Sequence, residues 1–367
     1  MRYVTRYEDC REVLRDTASY SNASGMKAPG VEIPPEDRLL GELDPPLHTR
    51  VRRVMVTALT PRVVHAAEPF IAETAASLLD AVPVPGTADL VAAFTVPLPN
   101  RVTVFLLGLP PEDADRLAAW AKELMESDFP RTNRTARGEG FAGAFPEFAG
   151  YIDDQLDRRI GADPDAADAD VITKLGALEV DGARLPRRQA RALVRNLITG
   201  GLTTTSQLLG NLLHQLLTDA ALDAAVRADE ATLHGAIEES LRLAPPILFI
   251  ARGCRHDTEV GGSPVAAGER VIVGTASANR DDEVFASGDE FRAERVNADQ
   301  HLTFGYGPHV CPGASLARTE ARVGLSTFLD RFPAGTVRLR SGFRFENVPT
   351  YFEVGPRRLP VETRASA

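Results

Sequence analysis

The chain has 367 residues, 44% of them hydrophobic and 25% charged, with a formal net charge of −10. This is the profile of an ordinary globular protein; its acidity argues against nonspecific nucleic-acid binding, and no stretch approaches the roughly 20 apolar residues of a membrane span. Three cysteines (10, 254 and 311) make no paired framework and the N-terminus carries no apolar signal region, so a cytoplasmic protein in a reducing compartment is expected.

Length alone suggests two or three domains, yet nothing reads as a linker, so 1–367 reads as one domain. In chain order, residues 6–16 predict a short amphipathic helix. Residues 20–46, rich in Gly, Pro and Ser, predict a long loop of the kind that is usually functional or mobile. Helices follow over 47–59, stopped at Thr60-Pro61, and on to about residue 82. The stretch 89–109 is helical with Pro97 and Pro99 breaking its first part. Residues 112–161 are helical again with an interruption at Phe129-Pro130, and 161–170 is an acidic loop. One long helix spans 185–217 and a shorter one 229–243. Beyond Pro245-Pro246 the pattern switches to strands at 247–252, 258–261 and 269–273, with a turn at Gly261-Gly262, and 337–363 reads as strands and hairpins. The fold class is therefore mainly α with a small β-rich lobe. Its helical core lies roughly over 47–243 and 300–330, and its strands roughly over 247–275 and 337–363.

The most informative run is Phe304-Gly305-Tyr306-Gly307-Pro308-His309-Val310-Cys311-Pro312-Gly313, set just before a helix. Glycines at 305 and 307 let the backbone curl so that N–H groups point at a sulfur. Pro312 suits the first turn of a helix. Cys311 then sits at a positive helix end, which favours thiolate over thiol. A sheltered thiolate open to one flat face is what an axial haem ligand requires; for an arbitrary cysteine, a buried free thiol is the default. A zinc site lacks ligands, since His309 and Cys311 give two and no CxxC supplies the rest. A cysteine hydrolase is weaker still, because residues two apart at a loop–helix junction rarely align as nucleophile and base.

The long helix is odd at its centre, Thr199-Gly200-Gly201-Leu202-Thr203-Thr204-Thr205. Glycine inside a helix costs about 1 kcal/mol relative to alanine, and threonines are poor helix formers. Small residues there leave room for a flat macrocycle and a diatomic ligand; the plain alternative is a slightly poor buried helix. Glu239-Ser240-Leu241-Arg242 puts opposite charges on one helical face, an exposed pair of that kind being worth under ~1 kcal/mol. Arg50, Arg52, Arg53, Arg62, Arg318 and Arg322 either form a basic patch able to steer an acidic electron donor or are scattered over the surface.

Phe-x-x-Gly-x-x-x-Cys-x-Gly, filled by Phe304, Gly307, Cys311 and Gly313, resembles the haem-binding signature of soluble bacterial cytochromes P-450. So do Asp44-Pro45-Pro46-Leu47-His48-Thr49-Arg50-Val51-Arg52, the strand arginine Arg252, the set Glu239, Arg242 and Arg295, and the helix centre Gly200-Gly201-Leu202-Thr203-Thr204-Thr205. The resemblance covers essentially the whole chain. It implies a cytochrome P-450 fold, with haem b (iron protoporphyrin IX) between the long helix and the Cys311 helix. Cys311 would ligate iron, and His48, Arg52, Arg252 and His309 would hold the propionates. Phe304, Gly313 and Gly201 would meet the macrocycle, and Thr204 would assist dioxygen. Glu239, Arg242 and Arg295 would be structural.

Thr203 stands where the family carries an acid that, with the following threonine, delivers protons to dioxygen. Its hydroxyl could still relay protons through water, and it leaves room for coupling, desaturation or peroxide-driven chemistry. The resemblance implies a monomeric monooxygenase acting on a largely hydrophobic small organic substrate of bacterial secondary metabolism, fed by ferredoxin and ferredoxin reductase. A non-catalytic accessory protein of the same fold is the third reading; such proteins typically lose the haem cysteine. Substrate would meet the loop 20–46, the long-helix centre, Ile247-Leu248-Phe249 and Tyr351-Phe352. One end departs: a helix and a first strand normally precede Thr5-Arg6-Tyr7-Glu8-Asp9, and both are expected to be missing here.

Overall fold

The computed structural model describes residues 1–365 apart from 24, 167 and 168, so two residues of the acidic loop and one of the 20–46 loop lie outside the described residues. A strand, β1 (Arg2–Val4), precedes helix α1 (Tyr7–Arg15). This corrects the expectation that no strand comes before the Thr5–Asp9 segment. Three residues are too few for alternation to show in sequence, yet Val4 is buried and the strand pairs in parallel, Arg2 opposite Val271 and Val4 opposite Val273. In α1, Tyr7, Cys10, Val13 and Leu14 share the buried stripe.

β2 (Tyr20–Ser21) leads into the long loop, whose regular pieces are short 3₁₀ turns at Pro35–Asp37 and Leu40–Glu42. Helix α2 (Leu47–Met55) is followed by α3 (Pro61–Asp80), which starts where the Thr60 hydroxyl accepts the Val63 N–H and Pro61 takes the first helical position. An unanticipated strand, β3 (Gly86–Asp89), comes next. Pro97 does not break a helix but opens one, α4 (Pro97–Leu106), where its missing N–H costs nothing.

α5 (Ala114–Glu126) and α6 (Pro146–Asp157) flank the interruption around Phe129, and α7 (Val171–Ala177) precedes the long helix α8 (Arg187–Thr218). Then come α9 (Ala220–Ala228), which the sequence reading omitted, and α10 (Glu230–Leu243). Asp219 and Asp229 side chains cap these two helices. The lobe beyond holds β4 (Ile250–Cys254), β5 (Thr258–Val260), β6 (Ser263–Val265) and β7 (Arg270–Val273). The chain ends with α11 (Ala314–Arg331), β8 (Val337–Leu339) and β9 (Pro360–Thr363).

The main sheet has the order β1-β7-β4-β2, and a second sheet, β8-β9-β3, ties the C-terminal strand to residues 86–89 with Val361 opposite Ala88. α8 is apolar on several faces because it is buried between two cores. Its first half (Leu193, Val194, Ile198, Leu202) packs with Val51, Met55, Leu117 and Phe148. Its second half (Leu208, Leu209, Leu212, Leu213) packs with Ile71, Phe94, Leu98 and Phe328. At roughly 1.5–3 kcal/mol per buried leucine, this burial outweighs the propensity cost of Gly200-Gly201, and the helix runs unbroken through them.

Candidate active site

The loop before α11 is shaped by its glycines. Gly305 (φ +76°) and Gly307 (φ +73°) occupy the left-handed region, and a Cβ at 307 would stand 3.0 Å from Arg15 Cα and 3.2 Å from the Leu14 carbonyl. The Cys311 N–H donates to the Phe304 carbonyl (2.7 Å). α11 begins at Ala314, so Pro312 lies in the preceding turn rather than in the helix as expected. The turn's N–H groups still bond the sulfur as expected, but burial outweighs them. Burial pushes the Cys311 thiol up, while the Gly313 and Ala314 N–H groups and the Arg52 and Arg318 guanidinium groups favour the thiolate. Cys311 is exposed, and its side chain lines a cavity.

That cavity, about 370 Å³, has Cys311, Pro312 and Gly313 on one wall and Gly200, Gly201, Thr204, Thr205 and Leu208 of α8 on the opposite one. Apolar side chains complete it, among them Leu40, Met55, Leu106, Leu197, Ile247, Phe304 and Leu316. Of the expected substrate contacts, the centre of α8, Leu40 and Gly41 of the 20–46 loop, and Ile247 line the cavity. Tyr351 instead donates to the Met26 carbonyl (2.8 Å), and Phe352 is buried in the protein interior.

His48, Arg52, Arg252 and His309, expected together from sequence, do converge on this cavity. The His48 ring stacks on His309 with centroids 3.8 Å apart. Both ring nitrogens of His48, and Nδ1 of His309, are buried without a hydrogen-bond partner; His309 Nε2 lies 2.6 Å from Asn22 Nδ2. Burial and the neighbouring Arg52 hold His48 down to about 4, and burial, His48 and Arg252 hold His309 down to about 3. Arg252 is 5% exposed, donates to its neighbour's carbonyl (2.9 Å), and faces no carboxylate within ion-pair distance among the described residues. Burial lowers it to about 10. Buried donors normally find acceptors. A flat group bearing two carboxylates at this rim would supply them with charge-assisted bonds, so the residues fit a haem whose iron faces Cys311.

On α8, Thr204 Oγ1 donates to the Gly200 carbonyl (3.1 Å) within the cavity wall. Gly201 is glycine for a second reason: a Cβ there would stand 2.5 Å from Thr103 Oγ1 of α4. Thr203 is not brought to Thr204's cavity. One residue turns an α-helix by about 100°, and Thr203 lines a separate cavity where its hydroxyl donates to Glu353 Oε1 (3.2 Å). Thr205, part of the helix-centre motif read from sequence but given no role there, lines the cavity with Thr204; sequence reading missed Asn22, for which the sequence carries no signal.

Around Cys311 the charges are mostly paired. Arg318 makes a bidentate pair with Glu238 (2.6 and 2.7 Å), Arg322 pairs with Glu68 (2.8 Å) and Arg50 with Asp181 (2.5 Å). Of the supposed basic patch, Arg52, Arg53 and Arg62 have no ion pair among the described residues; Arg52 lines the cavity, which leaves the exposed Arg53 and Arg62. Glu239 and Arg242 are not a surface pair. Both are fully buried, joined through two bonds of 2.7 Å, with Arg295 Nε 2.9 Å from the same carboxylate.

The family model for cytochrome P-450 matches residues 151–341. Erythromycin C-12 hydroxylase of Saccharopolyspora erythraea is 34% identical over 98% of this chain and 88% of its own length. Cyclomarin C epoxidase CymV of Salinispora arenicola is also 34% identical, over 98% of this chain and 89% of its own. The solved structure of a mutant of the P-450 EryK in complex with erythromycin B superposes with a TM-score of 0.87 at 32% identity, covering 99% of this chain and 91% of that one. The fold and the thiol-faced cavity are those of a haem-thiolate oxygenase. This chain belongs to the cytochrome P-450 family and is a P-450 monooxygenase. Among the described residues, no helix is long and apolar enough to cross a membrane.

Proposed function

We propose that this enzyme inserts one oxygen atom of O2 into a largely apolar organic molecule, using haem b bound through the Cys311 thiolate. The observation that carries the reading is the rim of His48, Arg52, Arg252 and His309 facing the same cavity as Cys311, with both ring nitrogens of His48 and Nδ1 of His309 buried without a partner and neither arginine paired with a carboxylate among the described residues. Those four would bind the two propionates. Phe304, Gly313 and Gly201 would bound the macrocycle, and Thr204 would hold a proton-donating hydroxyl on the distal wall. The haem supplies dioxygen activation, favoured by electron donation from the thiolate. The protein binds and orients the substrate and excludes water through an apolar lining. Leu40, Met55, Leu106, Leu197 and Ile247 favour a hydrophobic substrate. The names of the relatives, an erythromycin hydroxylase and a cyclomarin epoxidase, support an intermediate of secondary metabolism.

Electrons would come from a ferredoxin and its reductase, with Arg53 and Arg62, exposed and without an ion pair among the described residues, available to meet an acidic donor. The buried free thiols of Cys10 and Cys254 support a reducing cytoplasm. The sheet that joins 360–363 to 86–89 supports one domain over the chain. The test is the spectrum of the reduced, carbon-monoxide-bound protein. The red-shifted band of thiolate ligation is expected in the native chain and is lost in Cys311→Ser; a band that survives the substitution refutes the ligand assignment.

A further inference from the structure

We propose that Glu353, reaching α8 from the C-terminal segment, supplies the carboxyl group through which protons enter the oxygen-reacting cavity, with Thr203 as the hydroxyl that passes them across the helix. This rests on the reading of the Cys311 cavity given above. The need for such a group follows from stoichiometry: substrate R–H, O2, two electrons and two protons give R–OH and water, so each turnover draws two protons inward. The cavity lining is apolar, and the hydroxyls it presents on α8, Thr204 and Thr205, are not proton sources of their own.

Behind α8 lies a second cavity of about 240 Å³, lined by Thr203, Ser206, Gln207, Glu353 and, further out, Lys122 and Arg357. Glu353 is 2% exposed, and no cation lies within ion-pair distance of it among the described residues. Burial pushes its carboxyl up, with hydrogen bonds from Gln207, Thr203 and Thr350 working the other way. The charged groups facing this cavity are Lys122 and Glu126, which pair with each other at 4.0 Å, and Arg357, which pairs with Glu346 at 3.0 Å. None of them fixes Glu353 as an anion. Gln207 Oε1 is buried and has no donor, an independent sign that water belongs in this space.

The position is rigid. Glu353 N–H donates to Thr350 Oγ1 (3.1 Å), and the following residues press on α8: a Cβ at Gly355 would stand 2.5 Å from Gln207 Cγ, and one at Gly210 2.7 Å from Pro356 Cγ. In the relay, the Glu353 carboxyl gives its proton to the Thr203 oxygen, which frees the Thr203 hydroxyl from its bond to Glu353; the side chain then turns about χ1 from the second cavity towards the groove beside Gly200 and Thr204 and releases its own hydroxyl proton to water there. The Glu353 carboxylate is then reprotonated from water of the second cavity. No electron moves and no heavy-atom bond changes.

Two measurements on the purified chain test this. Infrared difference spectra of the native chain minus Glu353→Gln, haem-free and haem-loaded, are expected to carry the carbonyl band of a protonated buried acid, the band of the equally buried Glu320 cancelling between the two. With ferredoxin and its NADPH-dependent reductase supplying electrons and no substrate added, Glu353→Gln is expected to release severalfold more hydrogen peroxide per NADPH, with a larger solvent isotope effect. Thr203→Val is expected to do the same while keeping the carboxyl band, and it serves if Glu353→Gln does not fold. Thr203→Asp combined with Glu353→Gln is expected to bring peroxide release back towards the native value. All variants should retain the carbon-monoxide band; its absence in the native chain would instead overturn the haem reading. Unchanged peroxide release and isotope effect in Glu353→Gln or Thr203→Val, with that band intact, overturns the relay alone.

Discussion

Glu238 joins three pieces that surround Cys311, and its removal has a calculable cost. It sits on α10, 3% exposed, holding Arg318 of α11 through two short bonds and lying 3.4 Å from His301 Nε2. The Arg318 guanidinium in turn covers the Phe304 ring at 4.7 Å. Burial alone would raise the Glu238 carboxyl, but Arg318 and His301 outweigh it and bring it down to about 2. An unfolded glutamate titrates near 4.3, so the folded form gains roughly two pKa units, or ~2–3 kcal/mol at neutral pH. The sign is that of a depressed acid: the stability is fully present above the unfolded value and disappears as pH falls through about 2. Arg318 is one-third exposed and recovers some hydration when its partner is lost, which keeps the cost at the lower end.

Glu238→Gln should therefore lower the urea unfolding free energy by ~2 kcal/mol at neutral pH. The gap to the native chain should narrow steadily on acidification from about pH 5 downward. The single tryptophan, Trp120, stacked on Phe148 in the core, reports the transition. A neutral-pH difference below ~0.5 kcal/mol, or a gap that acid leaves unchanged, would show that the pair does not carry this charge energy.

Glu239→Ala should cost more, ~3–5 kcal/mol in the same melt, because Arg242 is wholly buried and cannot rehydrate; a loss under about 1 kcal/mol would contradict its structural role. At the centre of α8, Gly200→Ala meets little but Asn196 Nδ2 at 3.8 Å and should stabilise by ~0.5–1 kcal/mol. Gly201→Ala collides with Thr103 and should lose stability relative to Gly200→Ala; equal thermal melts for the two would show that α4 yields freely.

What could be read in advance was whatever short-range geometry dictates. Gly305 and Gly307 announced a left-handed loop because few other residues tolerate it, and His48 and Arg52 announced one helical face because they stand four apart. The strand Gly86–Asp89 was invisible because its partner, 360–363, lies at the far end of the chain and four residues carry no period. The burial of Glu239 and Arg242 was equally hidden, since an i,i+3 pair looks alike on a surface and in a core. Arg318 and Arg322 were read as free cations because their partners, Glu238 and Glu68, belong to helices remote in sequence. Thr203 could have been separated from Thr204 by phase alone. No local pattern, however, could reveal the carboxylate waiting behind it.

Thr203 and Glu353 become intelligible as a pair rather than as one missing acid and one stray one. An aspartate at 203 would bring a second carboxyl to within about hydrogen-bonding reach of Glu353 in a buried space without a paired cation, and two like charges there cannot both ionise. A hydroxyl at 203 avoids that repulsion while giving Glu353 a partner able both to accept and to donate. Burial disfavours the charged carboxylate in the second cavity, and α8 is locally weakened by two glycines that line the thiol cavity just before Thr203. The same reasoning makes the two positions interdependent. Thr203→Asp in the native background should destabilise the fold, and Glu353→Gln should relieve most of that loss, a coupling that a double-mutant cycle in the urea melt would measure directly. Additive effects would mean that the two side chains do not share a proton.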